Sequence, residues 1–201
     1  MSQFQTDLPT LLHHQLEHCS PGTPVKVFAQ DESRVGLLPL IRRRITAGGG
    51  QPVATVTYQF RYFYLYGAVD PTTGDSFFLE LPWLNTRAFQ VWLAHFAETF
   101  PDSFNLLVLD NGAFHKAKAV QWPANVAPVF LPPYSPELNP IERLWRDLKD
   151  KLAEGVAHTL DQLSEAVSHI LPGDSPPVLQ SLTGYAYFVR AVATARQAIN
   201  G

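Results

Sequence analysis

A chain of 201 residues, 46% hydrophobic and 16% charged, is long enough to bury one substantial core and carries no charge run that predicts disorder. Its net charge of −3 has the wrong sign for a module that wraps duplex DNA unaided, and its longest aliphatic run, Leu106 to Leu109, falls far short of a membrane span. A single cysteine, Cys19, excludes an intramolecular disulfide and a cysteine-built metal site, and the N-terminal residues show no basic region followed by an apolar block, so a reducing, cytoplasmic setting is expected.

Residues 1–24 read as a lead-in, a weakly amphipathic helix (LPTLLHHQLEH) closed by the turn Ser20-Pro21-Gly22. From Val25, VKVFAQDES has a strand pattern whose apolar part stops at Asp31, and LLPLIRRRITAGGGQP is a connection with a flexible tip at Gly48 to Gly50. TVTYQFRYFYLYGAVD and DSFFLELP are rich in aromatic and β-branched residues, and the turn from Asp70 to Gly74 joins them as a hairpin. Asn85 or Thr86 caps the next helix, where Phe89, Trp92, Leu93 and Phe96 recur at helical spacing as a core stripe, and Pro101 ends it.

FNLLVLD is a continuous apolar run of the kind covered on both faces, with Asp110 at its C-terminal end. A short basic helix (HKAKAVQW), a strand (VAPVFLP), a proline-dense turn and a long helix follow. Two more helices, TLDQLSEAVSHIL and SPPVLQSLTGYAYFVRAVATA, are expected outside the sheet. This order predicts an α/β arrangement with a mixed sheet, three antiparallel strands and then two parallel ones, flanked by helices.

The proline-dense stretch LPPYSPELNPIE is a rigid turn, because Pro132, Pro133, Pro136 and Pro140 each fix φ and remove a backbone donor. Asn139 is a good N-cap residue, Pro140 suits the first helical position, and Glu142 then falls in the first turn, where the helix dipole favours a carboxylate. Ligands of open α/β sheets lie outside the carboxyl ends of strands, which pairs Asp31 with Asp110. With Glu142 they form a donor set for magnesium, which takes a few carboxylates together with water and phosphate oxygens. Each acid alone has a plainer reading. Asp110-Asn111-Gly112 fits a strand-to-turn Asx device, Glu142 a dipole partner, and Asp31 and Glu32 a solvated strand end. The three acids together with the proline turn are far more specific. Basic residues cluster at Arg42 to Arg44 and at Lys116, Lys118, Arg143, Arg146, Lys149 and Lys151, each of which singly reads as a solvated face.

The strings QDESR, LVLDNGAFHKA and LPPYSPELNPIERLWRDLK resemble the three signature blocks of DDE-superfamily transposases, in the mariner-related group that includes many bacterial insertion sequences. The resemblance runs from about Val25 to Tyr187. It implies an RNase H-like fold in which Asp31, Asp110 and Glu142 are catalytic and bind two Mg2+ ions, with Mn2+ able to substitute. Positions 110 and 142 leave 31 residues between them, the low-thirties spacing of the group. Glu32 competes with Asp31, but neighbours on a strand point to opposite faces, and the DES string favours Asp31. His115 matches a histidine common after the second aspartate, with a role beside the metal ligands or on phosphate; its plainer reading is an exposed histidine at a helix start. Asn111 and Asn139 are expected to orient ligands or cap, and Gly112 stands where relatives often have alanine. Lys116, Tyr134 and Arg143 are candidates to contact the DNA backbone.

The expected organisation is a lead-in over 1–24, a catalytic domain over 25–190 that includes the C-terminal helices, and a tail over 191–201. The resemblance implies DNA as partner, both element ends and target, and a homodimer when active, with no membrane. Relatives carry an N-terminal helix-turn-helix portion that reads DNA; it is expected to lie outside this chain. Alternatives are a non-catalytic remnant or regulatory partner of a transposase, or another RNase H-like nuclease. A two-carboxylate glycosidase gains nothing from the proline turn or the basic neighbours.

Overall fold

The computed structural model describes residues 3–17, 19–20, 22–37, 62–155, 157–173 and 175–200. Arg42 to Arg44, the Gly48–Gly50 tip and the part of the expected strand TVTYQFRYFYLYGAVD that precedes Tyr62 lie outside the described residues.

Among the described residues five strands form one sheet: β1 (Val25–Gly36), β2 (Tyr62–Val69), β3 (Ser76–Leu81), β4 (Phe104–Leu109) and β5 (Val126–Phe130), in the order β3-β2-β1-β4-β5. β2 runs antiparallel to both β3 and β1, and β1, β4 and β5 run parallel, the mixed sheet that the sequence predicts. The β2–β3 hairpin closes on Asp70, whose buried carboxylate accepts from the Thr72 amide (2.7 Å) and hydroxyl (2.6 Å), while Gly74 takes the φ of +78° that the turn needs.

Asp31 does not end a strand as expected. β1 pairs with β4 only as far as Ala29, opposite Val108, but its pairing with β2 continues through Gly36. Asp31 therefore stands where β1 outruns its parallel neighbour. Extending the register by two residues brings it level with Asp110, which directly follows β4.

Alternation along β1 sorts the core into two layers. Phe28 faces α2 (Thr86–Thr99), where Phe89, Trp92, Leu93 and Phe96 are fully buried and Trp92 stacks on Phe96 at 5.1 Å. Each such side chain contributes on the order of 1.5–3 kcal/mol by leaving water. Asn85 is the cap of α2, its Oδ1 accepting from the Ala88 amide at 2.9 Å. Val27, Ala29 and Val35 face the other layer, built from α1 (Gln3–Leu16), α3 (Ile141–Leu152), α4 (Leu160–Gly173), α5 (Pro176–Thr183) and α6 (Ala186–Asn200).

Several expected boundaries move. The lead-in helix is part of the core: Phe4, Leu8, Leu12 and Leu16, one face at i, i+4 spacing, are buried in the same cluster as Phe188, Ala191, Val192 and Ala195 of α6. α6 itself runs unbroken past residue 190, where a tail was expected. HKAKAVQW is a succession of turns and not a helix, because His115 is buried 1% exposed and pins the segment inward. The last predicted helix splits into α5 and α6 at Gly184, where a Cβ would meet the Gln180 carbonyl at 2.5 Å. Among the described residues no helix is long and apolar enough to cross a membrane.

Candidate active site

Three consecutive residues of β1 organise the site. Gln30 offers its carbonyl to one neighbouring segment, Asp31 its carboxylate to a second, and Glu32 its carboxylate to a third.

Asp31 points to the α3 side, where the indole Nε1 of Trp145 donates to its Oδ2 at 3.0 Å. Burial, then the charges of Glu32 and Glu142, push its pKa up to about 8. A carboxylate crowded in this way by like charge is relieved by a cation.

Asp110 is half-exposed, and its Oδ1 accepts from the Gly112 amide at 2.9 Å and from His115 Nδ1 at 2.7 Å. The bond from His115 holds its carboxyl below the usual range against an opposing effect of burial. The Asx-turn reading of Asp110-Asn111-Gly112 is thus realised in the Gly112 bond, and the same carboxylate lines the cleft described below. Burial works against charge on His115, but its bonds to Asp110 and Glu32 outweigh that and raise its pKa to about 9. Doubly protonated, the ring donates from both nitrogens, so it is a clasp between two acids and not an exposed histidine.

Glu142 is brought in by the proline turn. Pro136–Leu138 form one 3₁₀ turn, after which Asn139, 2% exposed, donates from Nδ2 to the Gln30 carbonyl at 2.8 Å. α3 begins at Ile141, one place later than expected, with Pro140 and not Asn139 in the cap position. Asn139 is only a weak cap, its Oδ1 lying 3.4 Å from the Ile141 amide, because its side-chain amide is committed to β1. Its carbonyl accepts from the Glu142 amide at 3.2 Å, so the acid follows a segment tied to the residue before Asp31.

Asp31, Asp110 and Glu142 all line one open cleft of about 440 Å³, together with Asn111, Gly112, Asn139 and the turn from Leu131 to Pro136. Tyr134 on its rim is fully exposed and has a φ of +57°, left-handed backbone that a bulky residue rarely takes. Lys116 and Arg143 are exposed outside the cleft lining, Lys116 over the Phe130 ring at 4.8 Å and Arg143 over Tyr185 at 4.3 Å.

The donor set fits a hard divalent cation. The acids supply oxygen ligands only, two of them are in mutual repulsion, and Asn111 Oδ1 is a buried oxygen with no hydrogen-bond partner. Among the described residues no three of His, Cys, Asp and Glu are gathered tightly enough to hold an ion by themselves. Magnesium sites completed by water and phosphate oxygens do not require it. Sequence reasoning passed over Trp145, Gln30 and the engagement of Glu32. For Glu32 the alternation of β1 gave the direction but not the partner.

Among known proteins, the uncharacterized protein y4pE/y4sA of Sinorhizobium fredii is 39% identical over 88 residues, covering 43% of this chain and 65% of that one. The insertion element IS630 39 kDa protein of Shigella sonnei is 28% identical over 171 residues, 82% of this chain and 49% of that one. The chain thus spans from about half to two-thirds of the length of these relatives. Among solved structures, a pre-cleavage Mos1 transpososome superposes with a TM-score of 0.65 at 16% identity, over 95% of this chain and 61% of that one. The mariner Mos1 paired end complex with Mg gives 0.63 at 17%, over the same shares. At such identities the likeness is one of fold, the RNase H-like mixed sheet with flanking helices. Residues 26–164, well over half of the chain, match the family described as DDE superfamily endonuclease, and the chain belongs to that family.

Proposed function

We propose that this chain is the catalytic domain of a transposase that cuts DNA at the ends of an insertion element and joins those ends to target DNA. The observation that carries this reading is the placement of Asp31, Asp110 and Glu142, from β1, the end of β4 and the start of α3, on one cleft. Relatedness to an insertion-element protein and likeness of fold to a transpososome support it.

In cleavage a water oxygen bonds to phosphorus as the P–O3′ bond breaks, leaving a 5′ phosphate and a 3′ hydroxyl. In strand transfer that hydroxyl bonds to a target phosphorus as a second P–O3′ bond breaks, so the number of phosphodiester bonds is conserved. Asp31, Asp110 and Glu142 would hold the divalent ions, Mg2+ or Mn2+, which supply Lewis acidity to the scissile phosphate and lower the pKa of bound water. The chain's own groups prepare that site. His115 keeps Asp110 ionised, Trp145 fixes one oxygen of Asp31, and Asn139 ties the approach to Glu142 to the same strand. Asn111 offers an unpartnered oxygen within the lining, and Tyr134 presents its ring to the DNA from the rim. Lys116 and Arg143 flank the cleft as phosphate contacts. DNA is the partner, and a second copy of the chain completes the active assembly.

The test is nicking of supercoiled plasmid by the full chain with Mg2+ or Mn2+. Nicking by the wild type that is lost in Asp110→Asn supports the proposal. Nicking that persists in that variant overturns the site, and a wild type that binds Mn2+ and DNA yet cuts nothing moves the non-catalytic reading ahead.

A further inference from the structure

We propose that Glu32 is a positioning residue, acting through His115 to hold the Asp110 carboxylate in the orientation the cleft requires. This rests on reading Asp110 as a ligand of the site.

Glu32 follows Asp31 on β1 and points to the opposite face, so it does not line the cleft. Its side chain is 5% exposed, and Oε1 accepts from Gln30 Nε2 at 2.8 Å and from His115 Nε2 at 3.1 Å. His115, 1% exposed, reaches Asp110 Oδ1 through its other nitrogen at 2.7 Å. The rings of Phe89 and Phe114 pack on the imidazole with centroids 4.5 and 4.0 Å away, which leaves the ring little freedom to turn. A continuous line of hydrogen bonds therefore runs from behind the sheet to the cleft. At its end Oδ1 of Asp110, a residue of the cleft lining, is tied twice, by His115 and by Gly112.

A buried carboxylate is expensive unless paired, and an apolar side chain would fill this position at lower cost. Its partner lies 83 residues away in the connection between β4 and β5, a segment with no regular secondary structure to hold it. The clasp supplies what the fold there lacks. Partners behind a metal ligand typically change metal affinity by about 10–100-fold when removed.

The experiment measures Mn2+ dissociation constants of the full chain, by paramagnetic resonance of free Mn2+, beside apo-protein unfolding temperatures. Glu32→Gln keeps an oxygen facing His115 and should bind Mn2+ within about threefold of wild type, whereas Glu32→Leu should bind at least about tenfold more weakly. His115→Phe keeps an aromatic ring between Phe89 and Phe114, and Glu32→Leu/His115→Phe replaces both buried partners by apolar groups, which protects the fold if Glu32→Leu alone does not reach it. Glu32→Gln removes the Glu32 charge, which also acts on Asp31, and so measures that separate effect on Mn2+ affinity. Beyond that effect His115→Phe and the double variant should share one weakened dissociation constant, because the hydrogen-bonded line from Glu32 to Asp110 runs through His115. Wild-type Mn2+ affinity in folded Glu32→Leu or in His115→Phe overturns the proposal, as does a loss on adding Glu32→Leu to His115→Phe that exceeds the loss in Glu32→Gln. Asp110→Asn is the control for the underlying reading. If it leaves Mn2+ binding unchanged, Asp110 is no ligand, a failure separate from failure of the clasp.

Discussion

Trp145 and Gly67 share one volume. Gly67 lies opposite Asp31 in the β1–β2 ladder, and a Cβ built on it would sit 2.5 Å from Cη2 of the indole whose Nε1 donates to Asp31. Glycine is therefore required on β2 for the aspartate on β1 to be held. Gly67→Ala should displace the Trp145 ring, break its bond to Asp31 and destabilise the fold by about 1–3 kcal/mol. Thermal unfolding reads the stability, and plasmid nicking should fall at least about tenfold with it. Wild-type nicking in Gly67→Ala would show that the indole bond is dispensable.

The acids themselves divide sharply. Asp110→Asn keeps an oxygen for the Gly112 amide to reach, so the variant should fold as wild type while metal-dependent nicking is abolished. Glu32→Gln should be much milder than Asp31→Asn in the same assay, since Glu32 faces away from the cleft. Equal losses for the two neighbours would mean that both act on the reacting phosphate.

The titrating groups predict an acid-side stability maximum for the metal-free protein. Asp31 binds its proton more tightly folded, near pH 8, than unfolded, near 3.8, so its stabilising contribution is full below 3.8 and is lost as pH rises through about 8. His115 acts in the same direction, full below 6.5 and lost as pH rises through about 9. Asp110, held below its ordinary value, opposes them only at low pH, where its contribution is lost as pH falls through its folded pKa. Unfolding temperatures should therefore fall between about pH 6 and pH 9. Mn2+ binding should release a proton below about pH 8, seen as a buffer-dependent heat in calorimetry. A rising unfolding temperature over that range contradicts the burial assigned to Asp31.

Tyr134 should separate stability from DNA contact. Relief of its left-handed backbone by Tyr134→Gly should raise stability by up to about 1 kcal/mol, while removal of the exposed ring weakens DNA binding measured by fluorescence anisotropy. Unchanged DNA affinity in the variant would remove Tyr134 from the contact surface.

Much of this fold is legible in the sequence itself. The succession of strands along the chain follows from aromatic and β-branched runs punctuated by turn residues, and Asn85 and the turn at Asp70 act as their chemistry dictates. Asp31, Asp110 and Glu142 were legible through their motifs, and the structure places all three on one cleft. Local patterns failed where a distant partner decides. HKAKAVQW has the composition of a helix, but a buried bond from His115 to Glu32 forbids one. The helix at residues 3–16 looked peripheral because the helix it packs against comes last in the chain. Asn139 has the signature of a cap, yet its amide is drawn away by a carbonyl 109 residues earlier.

Gln30, Asp31 and Glu32 grip Asn139, Trp145 and His115 in turn. A slip of β1 by one position against its neighbours would turn Asp31 away from α3 and Glu32 away from His115 together, since the faces of a strand exchange at every step. No intermediate alignment keeps two grips and loses one. Proofreading of the strand's alignment is thus built into the chemistry: a misregistered chain has no diminished centre to run on, and damage that shifts this strand silences the protein outright.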